Sequence, residues 1–240
     1  MAQSDPYHEL RQNVLAANLA VRDAGLAPLT WGNVSAADHK AGVCAIKPSG
    51  VPYDTLTVER IVVIDLSTGE VVAGNDRPST DTPTHLALYR WNSGIGGVVH
   101  THSPFATSFA QAQTPIPCLG TTHADHFAGE IPVTRHPSPE ELETGYESAT
   151  GEIICEHFRD RGIDPVRLPA VLLPNHGPFV WGKNADNAVS NAIALEAVAM
   201  MAATTLGLRP DAPPLPERLA EAHFARKHGP NAYYGQKEAK

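Results

Sequence analysis

The sequence predicts an α/β fold in which a mixed or antiparallel sheet is covered by helices, and three observations predict it. Short β-branched runs stand between longer stretches of helical periodicity. Two pairs of these runs are joined by tight turns, as antiparallel hairpins are. Helices and strands do not alternate strictly, which a doubly wound parallel sheet would require.

In chain order, "HELRQNVLAANLAVRDAG" places Leu10, Val14, Ala17 and Val21 at helical spacing, with Gly25 at a C-terminal cap. "GVCAIK" and "RIVVIDLSTGEVVAG" then read as strands, the second folding over Ser67-Thr68-Gly69-Glu70 as a hairpin. "DTPTHLALYRWN" reads as a helix with Thr82 at the N-cap and Pro83 at the first helical position. A strand "GGVVHTH" follows. After the proline-rich "TPIPCLG" comes a helix near Thr144 to Asp160, and "PAVLLPNHGPFVWG" gives two short strands around a turn. "NADNAVSNAIALEAVAMMAATTLG" is the clearest helix; it is apolar nearly all round, is expected to be buried, and is expected to end at Gly207. "RPDAPPLPE" is the one linker-like stretch, tying a C-terminal helix and tail to the rest. Residues 1–240 read as a single domain, without internal repeats.

The chain of 240 residues carries a formal charge of −8, which argues against nucleic acid or an anionic membrane as partner. The N-terminus lacks the pattern of a signal peptide, and no apolar run is read as approaching the ~18 residues of a membrane span, so a cytoplasmic protein is expected. Three cysteines, Cys44, Cys118 and Cys155, show no CxxC spacing and read as reduced, buried small hydrophobes.

The chemistry-bearing residues begin in "GGVVHTHSPFA". Positions i and i+2 of a strand share a face, so His100 and His102 are either a converging pair of metal ligands or two polar groups at the wet end of a strand. A third candidate is His176 in "LLPNHGPF", where Gly177 lets the backbone turn sharply. Three histidines that leave coordination positions open are the pattern of a catalytic zinc rather than a structural one. Ser79, Thr80 and Asp81 precede a predicted helix N-terminus, which attracts anions such as phosphate. "KPSG" (Lys47 to Gly50) and "WGNVS" (Trp31 to Ser35) are similar small-residue loops, although each alone is also an ordinary turn or cap. "TTHADHF" groups His123, Asp125 and His126 as a second metal site, an acid/base group or a polar loop. No phosphate-binding GxxxxGK[ST] and no dinucleotide fingerprint is present.

Together, "TWGNVS", "IKPSG", "PSTDTPTH", "GGVVHTHS", "TTHADHF", "NHGPFVWGKNA" and "KHGPNAYYGQ" resemble, in order from about Leu10 to Gln236, the L-ribulose-5-phosphate 4-epimerases of the class II sugar-phosphate aldolase/epimerase family. The resemblance implies a three-layer α/β/α sandwich around a largely antiparallel central sheet. It also implies a C4 homotetramer with a zinc site near a subunit interface, one ion per subunit. By position, His100, His102 and His176 match the family's histidine ligands and Asp81 the acidic residue that accompanies them. Asn33, Ser49, Gly50, Ser79 and Thr80, with Gly32 and Lys47 alongside, match the substrate phosphate pocket. Asp125 and Tyr234 match the acid/base pair, supplied by the neighbouring subunit through Asp125 and a tail at about 225–240, and His223 matches a histidine near that pair. Histidine and carboxylate ligands suit manganese or cobalt as well as zinc.

The implied chemistry is coherent. In a 2-ketopentose phosphate the C4 hydrogen is not α to the carbonyl, so simple deprotonation there lacks an electron sink, and oxidation would need a nicotinamide site. Retro-aldol cleavage of C3–C4 remains, giving the enediolate of dihydroxyacetone and glycolaldehyde phosphate, whose aldehyde turns before C–C re-formation. The ion acts as Lewis acid, the phosphate grip retains the aldehyde, and an opposed acid/base pair serves its two faces. An aldolase of the same family, such as L-fuculose-1-phosphate aldolase, is the alternative. Those enzymes resemble this chain at the histidines but carry a basic glutamate where Asp81 stands. Non-catalytic cytoskeletal relatives lack the histidines, which are present here. His126 and Asn175 border the motifs, and His126 is placed to titrate near neutrality. Epimerases of this type serve arabinose catabolism or the breakdown of ascorbate and related sugar acids.

Overall fold

The computed structural model describes residues 5–230 together with Ala232 and Tyr233. Helix α1 (His8–Asp23) is followed by β1 (Asn33–Asp38), β2 (Val43–Ile46), β3 (Val62–Asp65) and β4 (Val71–Ala73). Next come α2 (Thr82–Trp91), β5 (Gly97–His100), α3 (Pro104–Gln111), α4 (Thr121–Ala124), α5 (Pro139–Thr144) and α6 (Tyr146–Asp160). The chain closes with β6 (Ala170–Leu172), β7 (Pro178–Gly182), α7 (Ala185–Leu208) and α8 (Glu217–His228). The seven strands form one sheet in the order β4-β3-β2-β1-β5-β7-β6, every neighbouring pair antiparallel. The fold is therefore an antiparallel sheet with helices on both faces.

Register explains which residues share a face. Asn33 lies opposite His100, and His100 opposite Phe179; one step along, Ser35, Val98 and Trp181 form the equivalent row. Directly opposed residues of an antiparallel pair point the same way, so Asn33, His100 and Phe179 face one layer. That layer is α2 and α6: His85 of α2 meets Phe179 edge-on, and Phe158 of α6 meets Trp181. Helices α2 and α6 approach so closely that a Cβ on Gly151 would lie 2.6 Å from Ala87 Cβ, which is why a glycine stands there. On the opposite face α1 and α7 pack against β1, β5 and β7. There Asn18, fully buried, gives its amide to the carbonyls of Val14 and Val34 and accepts from the Val34 N–H.

Several details depart from the sequence reading. Strand β1 occupies what reads as a small-residue loop, and β5 stops at His100, so His102 lies beyond it. Helix α2 begins at Thr82 with Asp81 at the N-cap; the Thr82 hydroxyl donates to Ser79 O at 2.6 Å instead of capping the next turn. Helix α7 runs through Gly207 and is buried on one face only, with Ile193, Met200, Met201 and Leu208 exposed. At 24 residues and mean hydropathy 1.4 it is long and apolar enough to span a membrane by length and composition, contrary to the expectation of no such run. Its buried residues lie on the sheet and α3. All three cysteines are free and buried, as expected.

Candidate metal centre and active site

Three histidines converge at the end of β5. The donor atoms of His100, His102 and His176 all lie within 4.8 Å of one another, and their rings pack pairwise edge-on at 4.7–4.9 Å between centroids. His100 stacks on Phe179 at 4.3 Å, and its Nδ1–H donates to Pro178 O at 2.9 Å. That bond fixes the tautomer, leaving the Nε2 lone pair aimed at His102 Nε2, 3.1 Å away. Two imidazole nitrogens on one tetrahedral ion at ~2.0 Å sit about 3.3 Å apart, so the pair already has the spacing of co-ligands. His176 is held by a separate contact, Tyr146 Oη to its Nδ1 at 2.9 Å. Burial, then the neighbouring histidines, lower the pKa of His176 to about 4 and also lower that of His102. Both are thus favoured as neutral imidazoles, the form that a metal ion requires.

The local backbone differs from the sequence expectation in an instructive way. The turn before His176 is made not by Gly177 but by Asn175, at φ 59, the left-handed region that Asn tolerates. Asn175 is pinned to the end of α3 by its N–H to Ala110 O and its amide to Gln111 O. Gly177 is needed for proximity: a Cβ there would lie 2.7 Å from Thr101 O.

Asp81 stands beside the histidines and outside the close donor set. Its Oδ2 accepts from Asn33 Nδ2 at 2.6 Å. Burial opposes its ionisation, but the fields of His100 and His85 and the Asn33 hydrogen bond outweigh it, holding the carboxyl below its ordinary value. His85, fully buried one turn on, bonds through Nδ1 to Ser35 Oγ, which also meets Tyr89 Oη. Its Nε2 has no partner among the described residues.

The small-residue loops come together next to this cluster. Asn33 Nδ2 also donates to Ser79 Oγ, the Ser79 N–H bonds Lys47 O, and the Ser49 N–H bonds Arg77 O. Segments 47–49 and 77–79 are thus laced together, around a bridge between Pro48 and Pro78. Ser49, Gly50 and Thr80 remain exposed at the rim. Gly32, at φ +75, sits so close under His100 that a Cβ would lie 2.6 Å from His100 O. Lys47 is the informative member. It is 2 % exposed, reaches only the carbonyls of Thr30 and Pro48, both at 3.5 Å, lies over the Tyr53 ring, and has no carboxylate partner among the described residues. Burial lowers its pKa to about 8. A buried ammonium without a carboxylate partner among the described residues suits an anionic ligand.

Asp125 lies elsewhere. At the end of α4 it is gripped by α8: Arg226 Nε and Nη2 donate to its two oxygens at 2.9 and 2.6 Å, and His223 Nδ1 reaches Oδ1 at 3.2 Å. No contact among the described residues joins it to the three histidines. Tyr234 lies outside the described residues. Among the described residues the remaining "TTHADHF" histidines do not form a second metal group: His123 turns to Gly129 O, and His126 meets Lys227 Nζ at 3.1 Å. Burial and then Lys227 lower the His126 pKa to about 4, so it does not titrate near neutrality.

Two participants escape the sequence reading. Tyr146 carries no motif signal. Arg226 stands three residues after His223, a helical spacing that puts both on one face, and that spacing is a usable signal.

Known proteins resemble this chain along most of its length. The chain is 51% identical over 229 residues, 95% of its length and 99% of the relative's, to L-ribulose-5-phosphate 4-epimerase UlaF of Salmonella paratyphi A. Among solved structures it resembles an L-fuculose 1-phosphate aldolase, with TM-score 0.74 and 24% identity over 94% of this chain and 97% of that one. It also resembles YgbL of Klebsiella pneumoniae, a putative aldolase/epimerase/decarboxylase, with TM-score 0.71 and 26% identity over 91% and 99% of the two chains. Residues 12–203 match the Class II Aldolase and Adducin N-terminal domain, and the chain belongs to that family.

Proposed function

We propose that this protein is a metal-dependent L-ribulose-5-phosphate 4-epimerase, converting its substrate to D-xylulose 5-phosphate by C3–C4 cleavage and re-formation. The carrying observation is the juxtaposition of three convergent histidines with a buried lysine that has no carboxylate partner among the described residues. The similarity to curated epimerases along 95% of the chain supports the substrate.

In this reading His100, His102 and His176, with Asp81 alongside, hold Zn2+, or Mn2+ or Co2+ in its place. When bound, such an ion supplies Lewis-acid stabilisation of negative charge developing in the substrate. Lys47, Asn33, Ser49, Gly50, Ser79 and Thr80 grip the phosphate, with Gly32 keeping that wall close to His100. This grip lets the cleaved aldehyde turn over without leaving. Asp125 and Tyr234 exchange the proton of the C4 oxygen on its two faces, and His223 supports Asp125. Asp125 is held by α8 and, among the described contacts, makes none with His100, His102 or His176 of its own chain, which fits a pair supplied across an interface in a C4 homotetramer. Residues 1–240 form one domain of a cytoplasmic enzyme in this reading.

The test is chelator-stripped protein reloaded with zinc and given L-ribulose 5-phosphate and, separately, L-fuculose 1-phosphate. D-Xylulose 5-phosphate without free aldehyde is expected. Steady aldehyde release with little epimer would instead identify an aldolase.

A further inference from the structure

We propose that Arg226 is the positioning residue of Asp125 in the proton-transfer pair, its guanidinium fixing the carboxylate while its backbone carbonyl holds the chain at Tyr233. This rests on the reading of Asp125 and Tyr234 as that pair. Two independent observations meet in one residue. The guanidinium forms a two-pronged bond to Asp125, Nε to Oδ1 at 2.9 Å and Nη2 to Oδ2 at 2.6 Å. The Arg226 carbonyl accepts the Tyr233 N–H at 3.0 Å, folding the tail back onto the last turn of α8. A fork of this kind fixes both the position and the plane of a carboxylate, which a single ammonium does not. Helix α8 is itself held in place, by Arg167 paired with Glu221 and lying over the Phe224 ring.

The contacts also distinguish the two oxygens of Asp125. Oδ1 accepts from Arg226 Nε and His223 Nδ1, whereas Oδ2 accepts from Arg226 Nη2 alone among the described contacts. Oδ2 therefore keeps the spare lone pair and is the oxygen placed to exchange a proton with substrate. The groups facing Asp125 are Arg226 and His223 of α8, with His228 Nε2 on its backbone carbonyl and the His126 and Lys227 pair beside it. Removing the guanidinium takes away the strongest of these partners. The carboxylate then loses both its plane and the main support of its charged form.

The experiment compares Arg226→Met, Arg226→Lys and Asp125→Asn in the zinc-loaded full chain, measuring kcat, KM, metal content and the pH dependence of kcat/KM. For Arg226→Met we expect kcat to fall by about 10- to 100-fold, with KM and metal content within about twofold and the acid limb displaced to higher pH. Arg226→Lys, which keeps a charge without the fork, should restore the acid limb and recover kcat only in part. Wild-type kcat and an unmoved acid limb in Arg226→Met would overturn the proposal, as would full kcat in Arg226→Lys. Should the methionine variant fail to fold, the lysine variant decides by the same kcat criterion. An Asp125→Asn variant with full epimerase activity would overturn the underlying assignment of Asp125 instead. An inactive Asp125→Asn beside an unaffected Arg226→Met would refute this inference alone.

Discussion

Gly32→Ala tests whether the loop before β1 really seats against the metal-bearing strand. Gly32 has φ +75, and an alanine Cβ there would lie 2.6 Å from His100 O and 3.3 Å from Thr101 Cα. The left-handed conformation costs an L-residue about 1 kcal/mol. The obstructing atom is backbone, unable to swing aside, so the strand end must shift by several tenths of an ångström, an overpacking worth about 1–3 kcal/mol. Together these predict a loss of about 2–4 kcal/mol. Gly25→Ala is the internal control: φ is +74 and nothing lies within 4 Å, so the conformational cost of about 1 kcal/mol stands alone. The assay is urea unfolding of both variants in the presence of chelator, comparing midpoints at equal slope. Because the displaced atom belongs to His100, Gly32→Ala should also weaken zinc affinity while Gly25→Ala does not. Equal destabilisation of the two variants, with equal zinc affinity, would refute the close seating.

Other perturbations have equally definite outcomes. Tyr146→Phe removes the only described hydrogen bond to the His176 ring, so zinc affinity should fall about 10-fold by calorimetry with the unfolding midpoint of the stripped protein unchanged; unaltered affinity would show that Tyr146 is incidental. Lys47 should lose its proton near pH 8 in the folded chain against 10.5 when exposed. Between those values the unfolded chain binds more protons, so the lysine makes stability rise with pH across that window. In the same window inorganic phosphate should bind more weakly as pH rises. Lys47→Met should bind phosphate poorly throughout and lack that pH dependence, and an unchanged profile would exclude Lys47 from the anion site.

Much of this was legible in the sequence because it depends on short-range geometry or on recognisable strings. His100 and His102 are two residues apart, and even with the strand ending at His100 their rings still meet. Strand β1 was not legible because "NVSAAD" is poor in strand formers; it is held by pairing on both sides, with β2 and β5. The eight-residue α3 is short enough to be lost among proline and small residues, yet it supplies the carbonyls that pin Asn175. The joining of the Lys47 and Ser79 loops is a pairing about 30 residues distant in sequence, which no local pattern announces. The one-sided burial of α7 was also hidden, since its composition is apolar on every face. The grip of α8 on Asp125 joins residues about 100 positions apart, which no local pattern announces.

The proposed epimerisation requires the protein to make and break a C–C bond. Its most direct test is to give zinc-loaded protein dihydroxyacetone and glycolaldehyde phosphate together and to identify the pentulose phosphates formed. Both L-ribulose 5-phosphate and D-xylulose 5-phosphate are expected. A protein that interconverts those two sugars yet forms neither from the halves would contradict it.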